Sequence, residues 1–269
     1  MYRLTYHRAT SLAEALELLA EAEDGTLLAG GQTLVPTMKA RLAAPSDLVD
    51  ISRIAELAGI RDMGGAVEIG AMTTHSEVAG SALVGDRIPG LAALAGLIGD
   101  AAVRHRGTIG GSLANNDPAA CYPAAVLALG ATVITDRREI EAEDFFQGMF
   151  TTDLDEGEII TAVRFPVPSR SAYAKFPQPA SRYPMAGVFV AETSHGPRVA
   201  VTGAGEDGVF RAEDLEAALA AEWSAEAVRA VEISPDGLAS DIHGAADYRA
   251  ALVSAMAAKA VSDLEDAAR

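Results

Sequence analysis

Two Gly-Gly pairs with the same neighbours place the strongest constraint on how this chain can fold. Gly30-Gly31 is followed by Thr33 and Gly110-Gly111 by Ser112, and each pair comes after a short apolar segment and before a helix or turn. Glycine lets a backbone approach a ligand closely with its N–H groups turned inward. A row of such donors binds anions, more strongly where a helix begins. Two such pairs are as typical of a site for a diphosphate-bearing cofactor as of two tight turns.

A third glycine motif, Gly203–Gly208, fits the dinucleotide-binding pattern G-x-G-x-x-G and follows an apolar segment. We reject that interpretation on physical grounds. Glu206 and Asp207 inside the motif would direct negative charge at a pyrophosphate, and the sequence predicts no helix that begins at the third glycine.

The charge of the chain excludes several classes of function. With 21 basic and 38 acidic residues the formal net charge is -17, which disfavours binding to nucleic acid or to an anionic membrane surface. No apolar run at the N-terminus is long enough for a signal peptide or a membrane span, so we expect a soluble cytoplasmic protein.

Cysteine and histidine usage disfavours metal chemistry on this chain. Its one cysteine, Cys121, excludes an internal disulfide and an iron–sulfur cluster held by this chain alone. The five histidines are scattered without metal-ligand spacing. They are interpreted as surface or capping residues, and His75, at a predicted helix start, as a local hydrogen-bonding residue.

Periodicity predicts the order strand, helix, strand, loop, helix, strand in the first fifty residues. Ser11 with Glu14, and Thr74 with Glu77, have the spacing of capping boxes, and Gly25 is expected to end the first helix. The other predicted elements are a helix at 34–42, a strand at 48–51, a hairpin turning at 64–65, helices at 89–98 and 124–129, strands at 132–135, 186–192 and 199–202, and helices at 212–221, 225–231 and 247–268. The segment 166–169 is typical of a linker, which predicts a domain boundary near residue 170.

Several sequence blocks, in order along nearly the whole chain, resemble a known family. Ala29–Pro36 with Met38-Lys39 and Leu48–Ile51 is similar to the first flavin loop of the FAD-binding medium subunits of molybdenum hydroxylases, the aerobic carbon monoxide dehydrogenase and xanthine dehydrogenase family. The other similar blocks are Arg104–Ala114, Asp117–Ala124, Ser171–Phe176, Ser181–Tyr183 and Ser240–His243 with Tyr248-Arg249.

This resemblance implies an α+β fold in two domains. Residues 1–170 would form an FAD-binding domain of the vanillyl-alcohol-oxidase type, with α/β subdomains at about 1–55 and 56–170. Residues 171–269 would form a C-terminal domain with a small antiparallel sheet and a helix bundle.

The resemblance also implies which residues bind the flavin, and it implies no catalytic side chain and no metal ligand. The diphosphate and ribityl chain would lie against two segments, whose residues are Ala29, Gly30, Gly31, Gln32, Thr33 and Leu34, and Thr108, Ile109, Gly110, Gly111 and Ser112. Nearer the ring, the matching positions are Ile98, Ile160 through its backbone, Lys175 and Tyr183. The alternatives are a solvated surface cation for Lys175 and a core aromatic for Tyr183.

Cys121 departs from the family pattern, because an acidic residue that hydrogen-bonds the cofactor is common at this position. A thiol is a weak donor and acceptor. We therefore expect this contact to be weakened, or supplied by backbone, water, Asn115, Asn116 or Asp117.

The implied function is electron transfer. FAD on this chain would take electrons from [2Fe–2S] clusters on a small partner subunit, after substrate hydroxylation at a molybdopterin-type molybdenum cofactor on a large subunit, and reduce an external acceptor. A cation such as Lys175 near the ring would raise the flavin potential. We expect a dimer of heterotrimers. The alternatives are a stand-alone flavin dehydrogenase of alcohols or sugars and a non-redox binding or assembly protein.

Overall fold

The fold, seen in a computed structural model that describes residues 1–267, starts with a small parallel sheet. Its elements are β1 (Thr5–Arg8), α1 (Leu12–Glu21), β2 (Gly25–Leu28), α2 (Leu34–Lys39) and β3 (Asp47–Asp50). The strand order is β1-β3-β2 with both pairings parallel. The predicted order of the first fifty residues is therefore confirmed, although α1 ends at Glu21 and Gly25 begins a strand rather than ending the helix.

The middle of the chain forms a five-stranded antiparallel sheet covered by short helices. A 3-10 turn at Ala55–Leu57 leads into it. The elements are β4 (Ile60–Asp62), β5 (Ala66–Gly70), α3 (His75–Gly80), α4 (Ala82–Arg87), α5 (Pro89–Gly96), α6 (Ala101–Arg104), α7 (Ile109–Asn115), α8 (Tyr122–Leu129), β6 (Thr132–Thr135), β7 (Glu139–Glu141), α9 (Ala142–Phe145) and β8 (Ile160–Pro166). The strand order is β4-β5-β8-β6-β7. The hairpin, the helix starts near Pro89 and Pro123, and the strand at 132–135 are confirmed.

The third part is an antiparallel sheet of four strands with helices packed on it. Its elements are β9 (Arg170–Pro177), β10 (Pro184–Thr193), β11 (Gly196–Thr202), β12 (Phe210–Arg211), α10 (Glu213–Ala221), α11 (Ala225–Arg229) and α12 (Ala246–Ala267). The strand order is β12-β11-β10-β9, and α12 packs across β10 and β9. The sequence did not predict β9, and residue 268, the end of the predicted last helix, lies outside the described residues.

Capping explains where two helices begin. Thr74 and Glu77 form a complete capping box on α3, as predicted. Ser11 caps α1 by accepting from the Glu14 N–H, but the Glu14 carboxylate accepts from the N–H and hydroxyl of Thr10 instead of returning to Ser11. Only half of the predicted box therefore forms at α1.

The third glycine motif begins where β11 ends and contains no helix start. Residues 203–208 lead into β12, and the next helix, α10, begins at Glu213. The rejection of this motif as a dinucleotide loop is consistent with that geometry.

The core consists of three groups of buried apolar side chains, one for each part of the chain. The largest, which includes Tyr122 and Phe165, fills the space between the five-stranded sheet, its helices and one face of β10. The opposite face of β10 packs on α12 through residues such as Val188 and Val253. Among the described residues, no helix has the length and apolarity needed to cross a membrane.

Candidate functional site

A deep cleft of about 690 Å³ brings together residues from all three parts of the chain. Its volume lies in the range of small-molecule and cofactor pockets. Fifteen of the sixteen predicted site residues line it: Ala29, Gly30, Gly31, Gln32, Thr33, Leu34, Ile98, Thr108, Gly110, Gly111, Ser112, Cys121, Ile160, Lys175 and Tyr183. The exception is Ile109, which is fully buried in the core.

The first glycine segment, residues 29–34 between β2 and α2, offers unpaired donors to this cleft. None of the backbone N–H groups of residues 30–34 donates a hydrogen bond to the described part of the chain. Gly31 has φ +71°, a conformation that favours glycine. The Thr33 hydroxyl makes no capping bond to α2. Such a row of free N–H groups beside a helix N-terminus is suited to bind an anionic group.

Gly30 is also required by the neighbouring backbone. A Cβ at this position would overlap the carbonyl oxygen of Arg106 and lie 2.7 Å from its carbonyl carbon and 2.8 Å from Gly107 Cα. The close approach that the sequence predicted toward a ligand is therefore, at Gly30, an approach toward the second glycine segment.

The second glycine segment, residues 107–112, differs from the prediction because its glycine pair lies inside the first turn of α7. The N–H groups of its helical part are already used: Ile109 donates to Thr73 O at 3.1 Å, Gly110 to Ala71 O at 2.9 Å, and Gly111 to the Thr108 hydroxyl at 3.2 Å. The expectation of a second row of free inward donors is wrong. This segment instead forms a rigid wall of the cleft.

Lys175 and Cys121 lie next to each other in the wall of the cleft. Lys175 Nζ donates to Leu97 O at 2.7 Å and lies 3.6 Å from Cys121 Sγ. Lys175 is only partly exposed, so it is not a freely solvated cation. Cys121 is buried, with 5% of its surface exposed.

Tyr183 lies at the mouth of the cleft rather than in the core. Its side chain is 45% exposed. Partial burial, followed by the nearby Asp117 carboxylate and Cys121, raises the pKa of its phenol. The tyrosine is thus a neutral aromatic surface at the rim.

Three cations surround the carbonyl groups next to Ile98. Besides Lys175, Arg104 donates to Ile98 O at 3.0 Å and to Gly99 O at 3.1 Å, and Arg182 approaches Gly99 O at 3.5 Å. These cations place positive charge on this part of the cleft wall, and the carboxylates of Asp100 and Asp117 lie near them.

The polar residues suggested as substitutes for an acid at position 121 have different surroundings. Asn115 and Asp117 line the cleft. Asn116 does not, because its side chain is buried and donates to Gly148 O and Thr151 O, both at 2.8 Å. Asn116 is therefore removed from that set of candidates.

His75 lines the cleft, although the sequence predicted only a local hydrogen-bonding residue at this position. It begins α3, only 5% of its surface is exposed, and it lines the cleft. Its ring makes no hydrogen bond to the described residues, so it is not the local hydrogen-bonding residue that was predicted. Burial, aided by the charge of Arg104, lowers its pKa to about 4. His75 is held in the wall by the contact of α3 with Gly107. These residues are far apart in the chain, so no local sequence pattern predicts the contact.

Comparison with known proteins identifies the family. Residues 2–168 match the family model described as the FAD binding domain in molybdopterin dehydrogenase. The chain belongs to this family. It is 36% identical to the carbon monoxide dehydrogenase medium chain of Hydrogenophaga pseudoflava, over 97% of this chain and 96% of the relative. It is also 36% identical to the nicotine 6-hydroxylase medium subunit of Paenarthrobacter nicotinovorans, over 93% of each chain.

The fold agrees with solved structures of this FAD-binding family. A carbon monoxide dehydrogenase from Hydrogenophaga pseudoflava that lacks the Mo-pyranopterin moiety superimposes with a TM-score of 0.88 and 38% identity, over 97% of this chain and 96% of that chain. The resemblance found in the sequence, the fold class and the assignment as an FAD-binding medium subunit of a multi-subunit molybdenum hydroxylase are confirmed. The chain is thus part of an oxidoreductase, and nothing supports the stand-alone dehydrogenase.

The residues of the cleft fit FAD. A diphosphate needs several donors at one place, and the free N–H groups of residues 30–34 supply them. The apolar side chain of Ile98 and the aromatic ring of Tyr183 offer surfaces for a flat ring system, while the side chain of Ile160 packs into the core.

Proposed function

We propose that this chain binds one FAD non-covalently in the cleft and carries electrons from an iron–sulfur partner to an external acceptor. The row of unpaired N–H groups at residues 30–34 is the observation that supports this most directly. When bound, FAD can accept and release electrons singly or in pairs, and so joins one-electron carriers to a two-electron reaction.

The proposed work of the protein is binding and electrostatic tuning. Residues 30–34 hold the diphosphate through backbone N–H groups, while the second segment closes the opposite wall. The ammonium of Lys175, fixed by Leu97 O, places a positive charge at the ring end, which raises the potential of a group that gains negative charge on reduction. No side chain in this assignment acts as an acid or base toward the substrate.

The proposed assembly follows from the relatives. Medium chains named for carbon monoxide and for nicotine match this chain over 97% and 93% of its length, so we infer that the substrate is handled by another chain. We infer a small subunit with [2Fe–2S] clusters and a large molybdenum subunit, arranged as a dimer of heterotrimers in the cytoplasm. We also place a domain boundary near residue 170, supported by the sheet change between β8 and β9.

A titration of the apo-protein with flavins tests the site. If the free N–H row holds the diphosphate, FAD should bind at least about 100-fold more tightly than FMN, which lacks that group, a difference of about 2.7 kcal/mol. Quenching of flavin fluorescence measures both affinities. Equal affinity for FAD and FMN would contradict the assignment of residues 30–34.

Co-purification tests the partners. The tagged chain, expressed with its neighbouring genes, should bring down an iron–sulfur chain and a larger chain, and the mass of the complex should be that of a doubled heterotrimer. A homogeneous single chain that oxidises alcohols or aldehydes with an artificial acceptor would overturn the electron-transfer role.

A further inference from the structure

His75 is a buried side chain in the cleft wall, and its ring has no hydrogen-bond partner among residues 1–267. Its Nδ1 atom is fully enclosed and forms no hydrogen bond with the described residues, and no hydrogen bond links Nε2 to them either. A buried polar group that is left unpaired costs about 1–3 kcal/mol. An apolar side chain of similar shape would avoid that cost if the position served packing alone.

The surroundings of His75 fix the ring in place. The capping box of Thr74 and Glu77 sets the start of α3, and the backbone N–H of His75 donates to Gly107 O at 2.9 Å. Tyr122 packs against one side of the ring, with centroids 5.3 Å apart. On another side, a Cβ at Gly107 would lie 2.5 Å from Nε2. The missing side chain at Gly107 therefore makes room for the imidazole.

The tautomer follows from the burial of Nδ1. The depressed pKa, about 4, keeps the ring neutral near pH 7, so one nitrogen carries a proton and the other does not. Enclosed donors without a partner are rarer in proteins than enclosed acceptors. The proton therefore resides on Nε2, the nitrogen that is not fully enclosed, and Nε2 is the donor that a molecule in the cleft can reach.

We propose that His75 is a cofactor-binding residue, which donates a hydrogen bond from Nε2 to an acceptor atom of the FAD in the cleft. This inference rests on the proposed function, because FAD must occupy the cleft. It gives His75 the hydrogen-bond partner that the described residues do not provide. It also adds a side-chain donor to the wall in which the backbone N–H groups of residues 109–112 are already paired.

Three substitutions at position 75 and one control test the proposal on the full-length apo-protein. His75→Phe keeps a flat ring without a donor, His75→Gln carries an amide near the position of Nε2, and His75→Asn carries one near Nδ1. Tyr122→Phe removes a buried hydroxyl that also has no partner among the described residues, from a side chain that packs on His75 but does not line the cleft. FAD affinity from fluorescence quenching and the melting temperature with and without FAD are the measurements.

The expected pattern separates binding from structure. His75→Phe and His75→Asn should weaken FAD binding about 10-fold, His75→Gln by about 3-fold or less, and Tyr122→Phe not measurably. The apo-protein of His75→Phe should melt at a higher temperature than the wild type, yet gain less from added FAD.

Two results would overturn the inference. One is wild-type FAD affinity in His75→Phe, and the other is an apo-protein of that variant that melts lower or fails to fold, since the ring would then serve packing. Failure of the proposed function looks different, because the wild type itself would then not bind FAD.

Discussion

The two glycine segments have the same sequence design but opposite hydrogen-bonding states. Residues 30–34 have five consecutive N–H groups that no described residue pairs with, whereas the N–H groups of residues 109–112 all donate within the protein. The first segment precedes its helix, and the second is the first turn of its helix. A Gly-Gly pair with an adjacent hydroxyl thus predicts a close approach of the backbone but not what is approached.

The reason for the difference lies in the neighbours of each segment. Residues 30–34 leave a parallel strand at its carboxyl end, where no further strand pairs with them. The second segment is held by the loop after β5, because Gly110 N and Ile109 N donate to the carbonyl groups of Ala71 and Thr73. Among the described residues, the first segment therefore keeps its N–H groups free because no neighbouring strand or loop accepts from them.

The largest expected effect tests whether Gly30 serves the protein or the ligand. Gly30→Ala would place a Cβ into the Arg106 carbonyl group. The atoms that this Cβ would meet belong to the backbone of Arg106 and Gly107 and cannot rotate away. The overlap should therefore lower the free energy of unfolding by about 3 kcal/mol or more. Urea unfolding of the apo-protein measures it.

Gly65→Ala is the matched control for Gly30→Ala. This turn glycine has no atom within 4 Å of the Cβ position and no positive φ, so its unfolding free energy should change by less than about 0.5 kcal/mol. If Gly30→Ala also folded with wild-type stability and lost only FAD affinity, the glycine would serve the ligand, and the two segments would be more alike than the structure indicates.

The sequence revealed the cleft residues more fully than it revealed their bonding. Local signals located the glycine pairs and the capping box of α3, and family blocks located Lys175 and Tyr183, which are far from the glycine segments in the chain. The resemblance assigned Ile109 to the site with the rest of its segment, although its side chain is buried in the core. The pairing of Gly110 with Ala71, the role of Asn116 and the burial of His75 depend on contacts between distant segments, and no local pattern encodes them.

A fall in pH should lower the free energy of unfolding through His75, which is buried against the second glycine segment. The pKa of His75 is about 4 in the folded protein against 6.5 as its ordinary value. The unfolded chain therefore takes up the proton first, and the stability present above pH 6.5 is lost as the pH falls toward 4. The loss amounts to about 2–3 kcal/mol.

The His75→Phe variant isolates this effect. Between pH 6.5 and 4 its unfolding free energy should decline less steeply than that of the wild type, because the remaining titrating groups are shared. Parallel pH profiles for the two proteins would show that His75 is not buried against the second segment.

A pair of threonine substitutions tests whether the second segment contributes to stability and the first to FAD binding. The Thr108 hydroxyl caps α7 by accepting from Gly111 N, while the Thr33 hydroxyl caps nothing. Thr108→Val should therefore lower the unfolding free energy of the apo-protein by about 1 kcal/mol. Thr33→Val should leave that stability nearly unchanged and weaken FAD binding by about 5-fold. The comparison fails if both variants show the same balance of stability and affinity loss.

The smallest effect is expected at Cys121, which follows the second segment. The sulfur lies in a buried position, 3.6 Å from Lys175 Nζ, whose firmer bond goes to Leu97 O at 2.7 Å. Cys121→Ser should therefore leave Lys175 in place, and the flavin absorption spectrum and FAD affinity should not change.

Cys121→Asp would add a carboxylate beside the ammonium and a stronger acceptor at the cleft. If this carboxylate accepts one hydrogen bond from the cofactor, the binding free energy of FAD should improve by about 1 kcal/mol. Because a carboxylate would also neutralise part of the Lys175 charge, the flavin potential should fall in Cys121→Asp and stay constant in Cys121→Ser. Two results would contradict this: a thiol adduct to the flavin in the wild type, or loss of FAD in Cys121→Ser. Either would show that the cysteine itself takes part in FAD binding on the side of the cleft formed by the second segment.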